Sequence, residues 1–209
     1  MTVAGVILAG GQSRRMGGGD KSLLSIAGST MLQRVVDRLR PQVGELALNA
    51  NGDLSRFSGI GLPIITDPID GFAGPLAGVL SGMHWAASLG PSPTHIVTVA
   101  SDTPFFPTNL VAGFRDVNEG ATDRIVLARS NGNRHPVFGF WPVALRNDLA
   151  KFMANTDTLK VMAFANHHDL RFADFPLIEI NGLEVDPFFN ANTPDDIETA
   201  ERIATETIS

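Results

Sequence analysis

Val3-Ala4-Gly5-Val6-Ile7-Leu8-Ala9-Gly10-Gly11-Gln12-Ser13-Arg14-Arg15-Met16-Gly17-Gly18-Gly19-Asp20-Lys21 is the stretch that decides the fold. Its first seven residues are a continuous apolar run, the pattern of a strand buried on both faces. The loop that follows, from Gly10 to Lys21, carries five glycines, two arginines and a lysine. Glycine lets backbone N–H groups approach a ligand, and Arg and Lys supply the charge that a polyphosphate needs. Lys21, Lys151 and Lys160 are the only lysines of the chain, so one closing a glycine-rich loop is informative. A Walker A loop needs Gly-Lys-Ser/Thr, whereas Asp20 separates Gly19 from Lys21 here, and no G-x-G-x-x-G follows the strand. P-loop NTPases and dinucleotide dehydrogenases are thereby disfavoured.

Working outward, further apolar runs appear at Glu45–Ala50, Leu62–Thr66, His95–Ala100 and Arg124–Ala128, each bounded by turn-forming residues. A polar loop with Asn131, Gly132 and Asn133 then opens into an apolar strand, Val137–Trp141. Between the runs lie helix-like segments: Thr30–Arg40, Pro75–Ser88, Thr108–Asn118, Val143–Asn155 and Thr158–Ala165. A last helix starts after Thr193, a capping residue, with Pro194 at its first position and Asp195, Asp196 and Glu198 in its first turn. This alternation predicts an α/β fold: a single doubly wound, mostly parallel sheet with helices on both faces, Rossmann-like, with residues 1–209 as one domain.

Composition bounds the function. With 209 residues, 44 % of them hydrophobic and 18 % charged, the chain is a folded globular protein, large enough for a substantial core. Sixteen basic against twenty-two acidic residues give a net charge of −6, which lacks the basic excess of a nucleic-acid binder. No cysteine is present, which excludes thiol catalysis, iron–sulfur clusters and cysteine-based zinc sites. The apolar run at the amino terminus has no basic residue before it and is too short for a secretory segment or a membrane span. A cytoplasmic protein without membrane contact is expected. The stretch from Asp169 to Glu206, with ten acids against two arginines, reads as a partner surface or a solvated face.

Ligands of such sheets sit at the carboxyl ends of the strands, and chemistry-bearing residues are found there. Asp102 follows the wholly apolar His95–Ala100 run; a carboxylate at that place can hold Mg2+ completed by water and phosphate oxygens. Asp67 precedes a proline and equally suits a turn, and Asn49 suits either a base or ribose contact or a turn. The small-residue segment Gly71 to Gly78 permits close ligand approach or tight packing of a helix on the sheet. The histidines, His84, His95, His135, His167 and His168, show no metal-binding spacing. His135 stands in the polar loop and equally suits contact with a second substrate or a plain surface position. No G-x-S-x-G elbow marks a serine hydrolase.

Five motifs in order, the loop from Leu8 to Lys21, Gly74-Pro75-Leu76-Ala77-Gly78, Ser101-Asp102-Thr103-Pro104, His135-Pro136 and Asn190-Ala191-Asn192-Thr193-Pro194, closely resemble those of the molybdenum cofactor guanylyltransferases over nearly the whole chain. Many members have one residue fewer between the Arg-Met-Gly and Asp-Lys elements than the three consecutive glycines found here. The resemblance implies a nucleotidyltransferase fold and transfer of GMP from GTP to the terminal phosphate of molybdopterin or molybdenum-molybdopterin, with release of pyrophosphate. It implies that Leu8, Ala9, Gly10 and Gly11 hold the nucleotide by backbone contacts. It further implies that Lys21 meets the phosphates, that Asn49 and Asp67 contact the nucleoside, and that Asp102 binds the Mg2+ cofactor. Lys21, Asp102 and Arg15 are the implied catalytic set, with Arg15, His135, Asn190 and Asn192 toward the molybdopterin side. The preference for guanine is implied by the family alone. Proteins that insert the cofactor, or receive it, are further candidate partners. Two alternatives stay open: a transferase using another nucleotide or acceptor, such as CTP or a sugar phosphate, and a carrier of molybdopterin without chemistry.

Overall fold

The computed structural model describes residues 2–9, 21–67, 74–91, 93–156, 158–180, 182–191 and 193–206. Strand β1 (Val3–Leu8) is followed by a small hairpin of β2 (Ser25–Ile26) and β3 (Ser29–Thr30). The chain continues through α1 (Met31–Leu39), β4 (Glu45–Asn49), β5 (Ile64–Ile65), α2 (Pro75–Ser88), β6 (His95–Ala100) and α3 (Leu110–Asn118). It then forms β7 (Ile125–Ser130), β8 (Asn133–Pro142), α4 (Arg146–Ala154), α5 (Val161–Ala165) and β9 (Leu170–Asp174). A second small hairpin, β10 (Ile178–Ile180) with β11 (Leu183–Val185), precedes α6 (Pro194–Glu206).

The main sheet has seven strands in the order β5-β4-β1-β6-β8-β7-β9. β1 pairs in parallel with both β4 and β6, in registers running to Leu8↔Asn49 and Leu8↔Ala100. β8 is the antiparallel member, paired with β6 and with β7, so the sheet is mostly parallel as the alternation predicts. Period-two burial explains the two covered faces. Val3 and Ile7 of β1 pack with Leu32, Val35 and Leu39 of α1 and with Phe114 of α3. Ala4 and Val6 face the other way, toward Leu76, Val79 and Leu80 of α2, and share a core with Leu149 of α4 and Phe164 of α5. A third, smaller core lies beside the sheet, where Ile203 and Ala204 of α6 join Ile26, Met31, Phe105 and Ala191.

Several boundaries differ from the sequence expectation, each for a local reason. The Leu62–Thr66 run pairs through only two residues: Pro63 has no N–H to donate, and among the described residues no further strand pairs beyond this edge. Lys160 is extended, at φ −71° and ψ 128°, which delays α5 to Val161. The polar loop at Asn131 is a two-residue turn, with φ of 45° at Asn131 and 78° at Gly132, that joins β7 to a β8 starting at Asn133. Asn-Gly accepts two consecutive positive φ values and matches the twist of a hairpin. Among the described residues no helix is long and apolar enough to cross a membrane.

Candidate active site

From β1 the chain moves to β4 and β5 on one side, through α1 on one face, and then returns through α2 on the other face to β6 on the opposite side of β1. The order of strands therefore reverses between β1 and β6, and the crevice at their carboxyl ends is the ligand position of such sheets. Lys21 and Asp102 meet at this crevice. Lys21 opens a 3-10 turn, Lys21–Leu23, and Asp102 sits in the turn after β6. The Lys21 Nζ stands 3.6 Å from Asp102 Oδ2, with side chains 12 % and 26 % exposed.

Both partners are held from below. Leu24 N–H donates to the Lys21 carbonyl, and Met31 N–H to that of Leu24. The hairpin that follows Lys21 turns through Ala27 and Gly28 at positive φ and is gripped by Arg34 of α1. The Arg34 guanidinium donates to the carbonyls of Ile26, at 3.0 and 2.7 Å, and Ala27, at 3.2 Å. On the other side the Ser101 N–H donates to the Leu8 carbonyl, and the Asp102 carbonyl accepts from Ala191 N–H. Arg38, half-buried on α1, donates to the Phe106 carbonyl, and desolvation lowers its pKa. The Asp102 turn is thus tied to β1, to α1 and to the segment before α6.

Asp67 forms a second polar centre. Its carboxylate accepts from Asn49 Nδ2 at 2.9 Å, Asn51 Nδ2 at 2.6 Å and Ser81 Oγ at 3.2 Å, and its N–H donates to Asn51 Oδ1. Asn49 is buried, and its Nδ2 also donates to the Ile65 carbonyl, so its amide ties β5 and Asp67 to the end of β4. Of the two roles the sequence allows Asn49, closing this corner is visible in the hydrogen bonds. At Gly78 of α2 the lack of a side chain serves packing: a Cβ there would meet Asn49 Oδ1 at 2.5 Å and Leu8 Cδ2 at 2.7 Å; residues 71–73 of the small-residue segment lie outside the described residues. Ala9 N–H donates to the Asn49 carbonyl, which extends the ladder to the point where the glycine loop leaves it. Gly10, Gly11, Arg15 and Asn192 lie outside the described residues.

His135 belongs to a third group. Its Nε2 is 2.7 Å from Ser130 Oγ, and Ser130 Oγ lies 2.7 and 2.9 Å from the two oxygens of Asp186. The ring stacks on Phe188 with centroids 4.5 Å apart. Burial pulls the His135 pKa down against the opposing pull of Asp186. Asn190 lies half-buried in the segment between β11 and α6. Sequence reasoning missed Asn51, Ser81, Ser130, Asp186 and Phe188. The Asn-Gly turn was a readable signal for pairing Ser130 with His135's strand; nothing local marks Ser81 or Asp186.

Residues 5–170 match the MobA-like NTP transferase domain model. The molybdenum cofactor guanylyltransferase of Rhodopseudomonas palustris strain BisB5 is 47 % identical over 95 % of this chain and 92 % of its own. That of Mesorhizobium japonicum is 45 % identical over 96 % of this chain and 95 % of its own. The chain belongs to the molybdenum cofactor guanylyltransferase family. The molybdopterin-guanine dinucleotide biosynthesis protein A of Archaeoglobus fulgidus has the same fold, with a TM-score of 0.74 at 20 % identity, covering 98 % of this guanylyltransferase chain and 99 % of that one. Among the described residues of this guanylyltransferase, the carboxylate that meets Lys21 at the crevice is that of Asp102, in a partly open position. No cluster of three or more His, Asp or Glu forms among the described residues. One carboxylate with open positions is a donor set that suits Mg2+, which keeps waters and takes phosphate oxygens, so Asp102 fits the role the family implies.

Proposed function

We propose that the crevice between β1 and β6 transfers GMP from GTP to the terminal phosphate of molybdopterin, releasing pyrophosphate and forming the guanine dinucleotide cofactor, with Mg2+ held at Asp102. The observation that carries this reading is the juxtaposition of Lys21 Nζ, from the 3-10 turn before β2, and Asp102 Oδ2, from the turn after β6, at 3.6 Å where the strand order reverses. A carrier has no need to bring a cation and a carboxylate from separate elements to one crevice.

The acceptor phosphate is a monoester with a second pKa of about 6, so it is largely dianionic near neutral pH and needs no general base. The protein's task is to hold two polyanions in line and to offset the charge that builds on the α-phosphate of the nucleotide. Lys21 supplies a fixed positive charge there, the Leu8–Gly11 backbone is assigned to the nucleotide, and Arg15 is assigned to the molybdopterin side of the reacting centre. Asp67, oriented by Asn49, Asn51 and Ser81, serves as the acceptor for donors of the nucleoside. A metal ion at Asp102 would neutralise phosphate charge and lower the cost of the in-line geometry. The bond formed is from an acceptor phosphate oxygen to the α-phosphorus; the bond broken is from that phosphorus to the bridging oxygen of pyrophosphate.

The test is pyrophosphate release from each of the four nucleoside triphosphates, with and without molybdopterin and with and without Mg2+. The expected result is release from GTP alone, dependent on both acceptor and metal. Release from CTP in preference, or from GTP with a sugar phosphate as acceptor, replaces the substrate assignment. Saturable pterin binding with no release from any nucleotide replaces the transferase with a carrier.

A further inference from the structure

Ser130, His135 and Asp186 form a hydrogen-bonded chain whose proton positions are fixed by valence. Ser130 is buried, and its Oγ has one proton. The Asp186 carboxylate can only accept, and both of its oxygens lie within hydrogen-bond distance of Ser130 Oγ, at 2.7 and 2.9 Å. The hydroxyl proton therefore points to Asp186, and a lone pair of Oγ points to His135 Nε2 at 2.7 Å. Nε2 must then carry a proton and donate it. In the neutral ring this leaves Nδ1 with the lone pair, and Nδ1 has no partner among the described residues. Burial favours the neutral ring.

The chain is held at both ends and lies at the same end of the sheet as Asp102. Phe188 N–H donates to Asp186 Oδ1, and the Phe188 ring stacks on His135 and packs edge-on to Phe138 and Phe175, fixing both ends. Five residues beyond Asp186, Ala191 donates to the Asp102 carbonyl, so the two groups are joined by a segment that can span at most about 18 Å. The pairing of β6 with β8 reaches Thr98↔Gly139, and Thr98 Oγ1 donates to the Val137 carbonyl, so the amino-terminal part of β8 emerges at the same sheet end as Asp102.

We propose that Asp186 and Ser130 are positioning residues that lock His135 in its Nε2–H tautomer, so that Nδ1 accepts a hydrogen bond from a ring N–H or amino group of the second substrate. This deepens the transferase reading and rests on it. It assigns His135 to the neutral heterocyclic part of the acceptor, and not to its phosphate, because a lone pair repels an anion and receives a donor.

Two readouts on the full-length protein test it. Nitrogen-15 NMR of the imidazoles reads the tautomer without any substrate: His135 shows the Nε2–H signature in the parent protein and a mixed signature in Ser130→Ala and Asp186→Asn. Steady-state kinetics then show the KM for molybdopterin raised roughly three- to tenfold in both variants, the loss of about one neutral hydrogen bond, with kcat and the KM for GTP little changed. Ser130→Thr keeps the hydroxyl and restores both signature and KM, which separates tautomer control from a general packing defect. An unchanged signature in Ser130→Ala overturns the relay. A changed signature with an unchanged molybdopterin KM, or with an equal rise in the GTP KM, overturns the contact with the acceptor. Failure of the parent protein to turn over strikes the transferase reading, whereas the NMR result stands or falls by itself.

Discussion

Lys21 and Asp102 illustrate how little stability a chemically decisive pair need contribute. Their charges are 3.6 Å apart and both side chains reach solvent, so the pair is worth about 0–1 kcal/mol to the fold. Asp102→Asn keeps the shape and removes the charge. The expected outcome is a loss of about a hundred- to a thousandfold in kcat, with a melting temperature within about 4 °C of the parent. Thermal unfolding and pyrophosphate release, measured on the same sample, check this, and parent-like turnover would remove Asp102 from the mechanism. His95 is the opposite case, a buried titratable residue far from the crevice at the start of β6, stacked on Phe140 at 4.4 Å. Burial pushes its pKa down to about 4 from the usual 6.5. The unfolded chain therefore binds the proton first as pH falls. Stability is full above about pH 6.5, declines through the window down to about 4, and the total loss is on the order of 3 kcal/mol. Denaturant unfolding between pH 7 and 4 should show this decline in the parent protein and a flatter profile in His95→Leu.

At the level of elements, α2 joins the site to the core through two glycines one turn apart. A Cβ at Gly82 would press on Val6 Cγ2 at 2.7 Å and Ile96 Cδ1 at 3.0 Å, both core side chains. A Cβ at Gly78 would press on Asn49, whose amide orients Asp67. Alanine improves helix propensity by about 1 kcal/mol, while overpacking costs about 1–3 kcal/mol. Both Gly78→Ala and Gly82→Ala should therefore lower stability modestly, and only Gly78→Ala should raise the KM for nucleotide, severalfold. Equal nucleotide KM values in the two variants would detach Asn49 and Asp67 from nucleotide binding. The glycines show what sequence could and could not convey. A small-residue run before a helix announces close approach, yet whether a ligand or a strand approaches depends on which side chains lie opposite, and those come from β1 and β4. Lys21 and Asp102 were legible because each directly ends a strand or its loop. Ser81 and Asp186 were not, because each acquires its role from a partner brought by another element. The antiparallel β8 was half-legible: its apolar part, Val137–Trp141, reads as a strand and Asn131-Gly132 carries a hairpin signal, but Pro136 and a polar start hide the four residues from Asn133.

On the scale of the whole molecule, the alternation of apolar runs and helical segments was sufficient to expect the doubly wound sheet, since two covered faces follow from period-two burial. The third core was not foreseeable. Its members, Ile26, Met31, Phe105, Ala191, Ala200, Ile203 and Ala204, come from segments that are far apart in the chain and individually unremarkable. That core ties α6 to the hairpin following Lys21 and to the turn following Asp102, so it bears on the site and on cooperativity together. We propose on this ground that residues 1–209 fold as one unit. Ile203→Ala removes buried volume from a side chain only 3 % exposed, a change that costs about 2–5 kcal/mol. Trp141 of β8 lies in the other core and Trp85 of α2 packs against it, so both report that core by fluorescence. If the chain unfolds as one unit, Ile203→Ala shifts the tryptophan transition and the far-ultraviolet circular dichroism transition downward by the same several degrees, although the substitution touches neither tryptophan. If α6 and its neighbours form a separate unit, the tryptophan transition stays in place while a new, earlier transition appears in circular dichroism. In the first case the KM for nucleotide should also rise at temperatures just below the transition, because loosening the third core releases the hairpin that presents Lys21.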